Sequence, residues 1–202
     1  MQAAKSSRPA SCSEHLFSHY LDMTEFRFNG KLQSHGDQVA IGTITMCAFF
    51  DELFKMDLTK IDVDACVEAW PTLEQEQQRA KELFKNFPVP MLGYTEITKK
   101  YSDKETVRKQ LTRVKDNWPE LKARLQAQVY SFEKMQNMCR IAGAPYDPEH
   151  IGVSRSQLRS MVDFVQLMRW RINMLDLAKR AGIYDELVER VFGKGGAWEI
   201  NR

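Results

Sequence analysis

The chain has 202 residues, 43% of them hydrophobic, which is enough to bury a sizeable core in one or at most two domains. Twenty-nine lysines and arginines nearly balance 27 aspartates and glutamates, so a net charge of +2 gives no field that would select nucleic acid or a membrane surface as the main partner. No apolar run approaches the ~20 residues of a membrane span, no secretory signal is recognisable at the start, and four scattered cysteines suggest free thiols in a reducing cytoplasm rather than a disulfide framework.

Helix follows helix along the chain, with no segment of sustained apolar and polar alternation, so an all-α, multi-helix bundle of about eight to ten helices without strands is expected. The first helix runs from Ser13 to Met23, with Ser11 or Ser13 as its N-cap. A polar link, Thr24 to Ser34, leads to a second helix from His35 to about Lys55, apolar on most faces and therefore the central buried one. Asp62 to Ala69 reads as a short helix, and the Trp70-Pro71 step opens another. Pro88, Pro90 and Gly93 mark a turn, Ser102 with Glu105 reads as a capping box, and a helix ends at Asn117 so that Pro119 begins the next. Gly143 with Pro145, Ser154, Gly182 and Gly193 are later boundaries. The basic stretch Lys99 to Arg124 is a solvated helical face or, less simply, a docking surface, and Met135, Met138, Met161, Met168 and Met174 are core filler.

Three of four histidines fall within a short stretch, His15 and His19 in EHLFSH and His35 in SHGDQVAIGT. Residues four apart share a helix face, so His15 and His19 can address one point, and His35 at the start of the buried helix can project back toward them. Neutral imidazole is a common ligand for zinc, iron or nickel. A hydrogen-bonded or solvated histidine face is the plainer alternative for a lone pair. A metal needs a further ligand. Glu14 and Asp22 are the nearby carboxylates, but Glu14 immediately precedes His15 and should point away from it, so the site is not expected to close within this chain. HExxH is absent, which argues against a zincin-type protease. His150 in DPEHIG reads as structural.

The string SSRPASCSEHLFSHYLDM, followed by SHGDQVAIGT, resembles the metal-binding stretch of glycerol-1-phosphate dehydrogenases, of the superfamily of iron-containing alcohol dehydrogenases and dehydroquinate synthases. The likeness continues in IAGAPYDPEHIGV and RINMLDLAKRAGIYDELV. The resemblance implies that residues 1–202 form a single helical metal-binding domain like the C-terminal domain of that fold, with His15 and His35 as metal ligands and His19 facing the substrate. Arg8, at the entry to the first helix, would meet the substrate's phosphate or is a surface residue. It implies a divalent metal (zinc, nickel or iron), a small-molecule phosphate substrate (dihydroxyacetone phosphate), a role in phospholipid metabolism, and a homodimer. NAD(P) and a third ligand, an aspartate, would come from an N-terminal α/β domain. No glycine-rich pyrophosphate loop occurs in the chain, so that domain is expected to be absent from it, as in a truncated reading frame, an isolated domain or a split subunit whose N-terminal domain is a separate chain. Cys12 stands where the family's motif has glycine, which would disturb the loop beside the metal or be a harmless buried thiol. A dehydroquinate synthase-like lyase fragment and a non-catalytic helical interaction module are the competing readings.

Overall fold

In the computed structural model, residues 12–200 are described, and they form ten α-helices and one two-stranded hairpin. The helices are α1 (Ser13–Met23), α2 (His35–Lys55), α3 (Val63–Ala69), α4 (Leu73–Phe84), α5 (Leu92–Lys100), α6 (Lys104–Gln126), α7 (Phe132–Ile141), α8 (Arg155–Leu167), α9 (Met174–Arg180) and α10 (Tyr184–Phe192). The all-α, multi-helix architecture agrees with the sequence. No helix among the described residues is long and apolar enough to cross a membrane.

The core is organised around α2. Ile41, Ile44, Phe49 and Leu53 of this helix are almost wholly buried, and α1, α7 and α10 pack on it from different sides. The C-terminal segment returns to cover α2, and the buried Trp198 indole N–H donates to Thr45 Oγ1 at 3.2 Å while its rings meet Phe132 edge-on. Enclosing an indole with its one donor satisfied makes burial of so large a side chain favourable on balance.

Several local expectations are corrected. The link after α1 is not strand-free: β1 (Arg27–Phe28) and β2 (Lys31–Leu32) pair antiparallel around Asn29-Gly30. Both turn residues have positive φ, 52° and 75°, as a two-residue primed turn requires, and asparagine and glycine are the residues that tolerate it. Pro119 does not start a helix but lies inside α6. Proline withdraws one backbone donor there, while the buried Trp118 beside it anchors the helix by donating to the Met56 carbonyl at 3.2 Å. The cap of α6 is Asp103, which accepts from the Thr106 amide, not Ser102. Helix α4 begins beyond Pro71, capped by Thr72 in a reciprocal box with Gln75. Gly93 sits within α5 rather than in the turn. Ser11 lies outside the described residues, Ser13 is helical, and the cap position of α1 is Cys12. Met161 and Met168 are buried as expected, but Met138 is exposed.

Candidate metal-binding histidine cluster

Helices α1 and α2 are connected by the hairpin and cross closely at Gly42. A β-carbon at Gly42 would overlap the carbonyl of Glu14, so only glycine allows this approach. The crossing sets the first residues of α1 beside the first turn of α2. As a result the rings of His15 and His35 lie with centroids 5.3 Å apart, tilted by 52°.

Glu14 does not point away from His15. Its Oε1 accepts from the Cys12 backbone N–H at 2.9 Å and stands 3.1 Å from His15 Nδ1. Free amides at the start of a helix attract a carboxylate, which draws Glu14 back over the first turn and within reach of the neighbouring ring. A carboxylate only accepts, so His15 Nδ1 carries the proton and the lone pair is left on Nε2.

His35 is fixed by a longer chain of bonds. Ser18 Oγ donates to the buried Gln38 Oε1 at 2.5 Å, and Ser18 Oγ is 2.7 Å from His35 Nδ1. With its one proton already committed to Gln38, Ser18 accepts from His35 Nδ1–H, so the lone pair of His35 also rests on Nε2. Two imidazoles side by side thus have Nδ1 engaged and Nε2 available, the arrangement in which an outer partner orients a metal-ligating histidine.

His19 differs. Arg169 Nη2 lies 2.8 Å from its Nε2, and because a guanidinium only donates, that lone pair is already used. Burial first, and the Arg169 charge second, lower the His19 pKa from its ordinary value, and with Nε2 accepting from Arg169 the proton of the neutral ring is on Nδ1. Asp22 acts on His19 in the opposite sense, and both other histidines contribute to its field. Among the described residues no group of three or more histidine, cysteine, aspartate or glutamate side chains forms a metal-holding cluster.

Arg169 and Arg171 escaped the reading of the sequence. They lie in the MRWRIN connection between α8 and α9, which is held by a bond from the Trp170 amide to Glu96 Oε2 at 2.8 Å and by the Asn173 capping box. Arg169 reaches His19, and Arg171 is close enough to Cys12 to lower its thiol pKa against the larger upward pull of burial. Two arginines one residue apart in a short helix connection were the available signal. Arg8 lies outside the described residues. His150 sits in a short 3₁₀ turn, edge-on to Tyr146 with ring centroids 4.4 Å apart.

A stretch of 76 residues is 46% identical to a glycerol-1-phosphate dehydrogenase [NAD(P)+] of Korarchaeum cryptofilum (strain OPF8), covering 38% of this chain and 23% of that protein. Parts of the chain are thus similar to glycerol-1-phosphate dehydrogenases. The like-named protein of Methanococcus maripaludis (strain C6 / ATCC BAA-1332) matches over 124 residues at 32% identity, 60% of this chain and 34% of the relative. That of Staphylothermus marinus (strain ATCC 43588 / DSM 3639 / JCM 9404 / F1) is 54% identical over 52 residues, 26% of this chain and 14% of the relative. The matches therefore span at most about a third of these glycerol-1-phosphate dehydrogenases. No family model matches the chain, and no solved structure matches it.

Proposed function

We propose that this chain is a single helical metal-binding domain that supplies half of an NAD(P)-dependent glycerol-1-phosphate dehydrogenase reducing dihydroxyacetone phosphate. The observation that carries the reading is the pair of imidazoles, 5.3 Å apart, each with Nδ1 engaged and Nε2 free. His15 and His35 would hold a divalent zinc, nickel or iron ion, and a carboxylate and the NAD(P) site would come from an α/β unit packed against this face. When bound, the metal supplies a Lewis acid that polarises a substrate carbonyl.

The remaining roles follow from this chain's own groups. His19, neutral and with Nδ1–H outward from its bond to Arg169, donates to a substrate oxygen and handles its proton. Arg169 and Arg171 meet the substrate's phosphate, a dianion that a pair of guanidinium groups can bind with several donors. Arg8 is a further candidate for that phosphate. The assembly is proposed to be a cytoplasmic homodimer.

The test is titration with Zn²⁺ of the chain and of four variants. Weak binding is expected, because two neutral imidazoles offer a cation few ligands and no negative charge. Binding should vanish in His15→Ala and in His35→Ala and persist in His19→Ala. Ser18→Ala removes the group that orients His35 and should weaken binding by roughly 10–100-fold. Tight binding that survives loss of both His15 and His35 would refute the assignment. Reduction of dihydroxyacetone phosphate, with and without a supplied α/β domain, then tests the activity.

A further inference from the structure

The two imidazoles of the histidine pair are oriented by unlike partners. His15 Nδ1 meets a carboxylate, which can only accept, and that contact alone places its proton. His35 Nδ1 meets the hydroxyl of Ser18, which can either donate or accept. A donating hydroxyl would move the His35 proton to Nε2 and leave no lone pair there for a cation. The direction of one serine proton therefore decides whether His35 can be a ligand.

That direction is set outside the pair. Ser18 is wholly buried and Gln38 almost so, with Gln38 Oε1 at 2.5 Å from Ser18 Oγ. A side-chain amide can face a hydroxyl with its oxygen or, turned over, with its NH₂ group. A second contact decides which: Gln38 Nε2 lies 3.4 Å from the backbone carbonyl of Gln33. A carbonyl only accepts, so the amide nitrogen faces Gln33 and the oxygen faces Ser18. The Gln33 carbonyl is available because it stands one residue before the cap of α2. Ser34 supplies the first acceptors of that helix, its carbonyl taking the Gln38 amide and its hydroxyl the Asp37 amide, each at 3.1 Å. Every donor in the relay thus points one way, from His35 to Ser18 to Gln38 to Gln33, and the relay ends on main chain.

We propose that Gln38 is a positioning residue that holds His35 in the Nδ1–H tautomer, the form whose Nε2 can take a metal. Among the described residues Gln38 makes no hydrogen bond to His35 and acts through Ser18. His35 itself is exposed, so without the relay its neutral ring would exchange between both tautomers in water. Burial of Ser18 and Gln38 keeps water from standing in for either of them, which is what gives a satisfied buried chain its directing force. The polarity of the relay is a property of the metal-free chain. Its consequence for a cation rests on the reading of His15 and His35 as metal ligands.

The chain has four histidines, few enough for each tautomer to be read by ¹⁵N NMR of the whole metal-free chain, labelled at histidine and held at pH 8. His35 should show a protonated Nδ1 and a bare Nε2. In Gln38→Leu the Ser18 proton is released toward His35, and an Nε2–H population should appear. His15, placed by Glu14, should keep its tautomer in every variant. In a Ser18→Ala chain, where the relay is already cut, Gln38→Leu should change His35 no further, whereas a merely structural role would add its effect in both backgrounds. Zn²⁺ affinity should fall by roughly 10–100-fold in Gln38→Leu. If Gln38→Leu does not fold, Gln38→Met is read in the same way. A parent His35 protonated on Nε2, or a His35 tautomer unchanged in Gln38→Leu, would overturn the proposal. Expected tautomers in a parent chain that binds no Zn²⁺ would uphold the positioning by Gln38 and overturn the reading of the pair as a metal site.

Discussion

At the scale of single residues, the three histidines share a helix pair yet have different surroundings. His15 rests on a carboxylate, His35 on a serine whose proton is committed to Gln38, and His19 on a guanidinium. The last contact has a measurable consequence in the acid range. Because the His19 pKa is lowered from 6.5 in the folded chain, the unfolded chain takes up its proton first as pH falls. The contribution of His19 to stability is therefore constant above about pH 6.5 and is lost as pH falls from there through the folded pKa. Urea midpoints measured at pH 7.5 and 5.5 should show a smaller loss of stability for His19→Gln than for the parent chain. Equal losses would mean that His19 is not held neutral. Partial exposure of the ring to solvent keeps the expected difference modest. Positions 15, 19 and 35 were legible as candidates because i,i+4 spacing is a property of the local chain. Their proton positions were not, since the partners that set them include Ser18 with His35, 17 residues apart, and Arg169 with His19, 150 residues apart.

At the scale of elements, the long, strongly periodic helices were the readable ones: α1 and α2 fall at the expected bounds. The hairpin was missed because two-residue strands are too short to alternate, although Asn29-Gly30 is itself a turn signal. The break expected at Pro119 fails because proline's missing donor costs one hydrogen bond, while Trp118 and the packed faces on either side hold α6 in one piece. The crossing of α1 over α2 makes Gly42 the position most sensitive to substitution near the histidines. Gly42→Ala should destabilise the chain by about 1–3 kcal/mol, the usual range for overpacking, and should weaken Zn²⁺ binding by moving His15 from His35. Chemical denaturation together with the metal titration checks both effects. An unchanged midpoint would show that the helices separate without strain. Gly152 plays a comparable part for the hairpin: its φ of 79° and the Phe28 ring packed on it leave no room for a side chain.

At the scale of the whole molecule, the connection that carries Arg169 and Arg171 also exposes Trp170 and Ile172, at 43% and 53% of their full surface. Large apolar side chains interleaved with arginines suit a face that another unit covers. The chain alone should therefore bind a hydrophobic dye and self-associate as concentration rises. The double change Trp170→Ser, Ile172→Ser should reduce both, as followed by dye fluorescence and sedimentation. A chain that stays monomeric and leaves the dye dark would contradict this. The family resemblance was legible from the motifs of the first two helices, whereas the buried pair of Lys100 and Asp176 was not, because it is brought together from α5 and α9 only by the fold.

The placement of His15 and His35 on adjacent helices joined by a tight turn also bears on how fast the pair can form. The two histidines are 20 residues apart in the sequence, and contacts close in sequence require little loop entropy. The α1–α2 unit brings the histidines together without waiting for the distant C-terminal helices, whereas the bond from Arg169 to His19 must span 150 residues. During refolding the His15–His35 pair is therefore expected to form before the contact between Arg169 and His19.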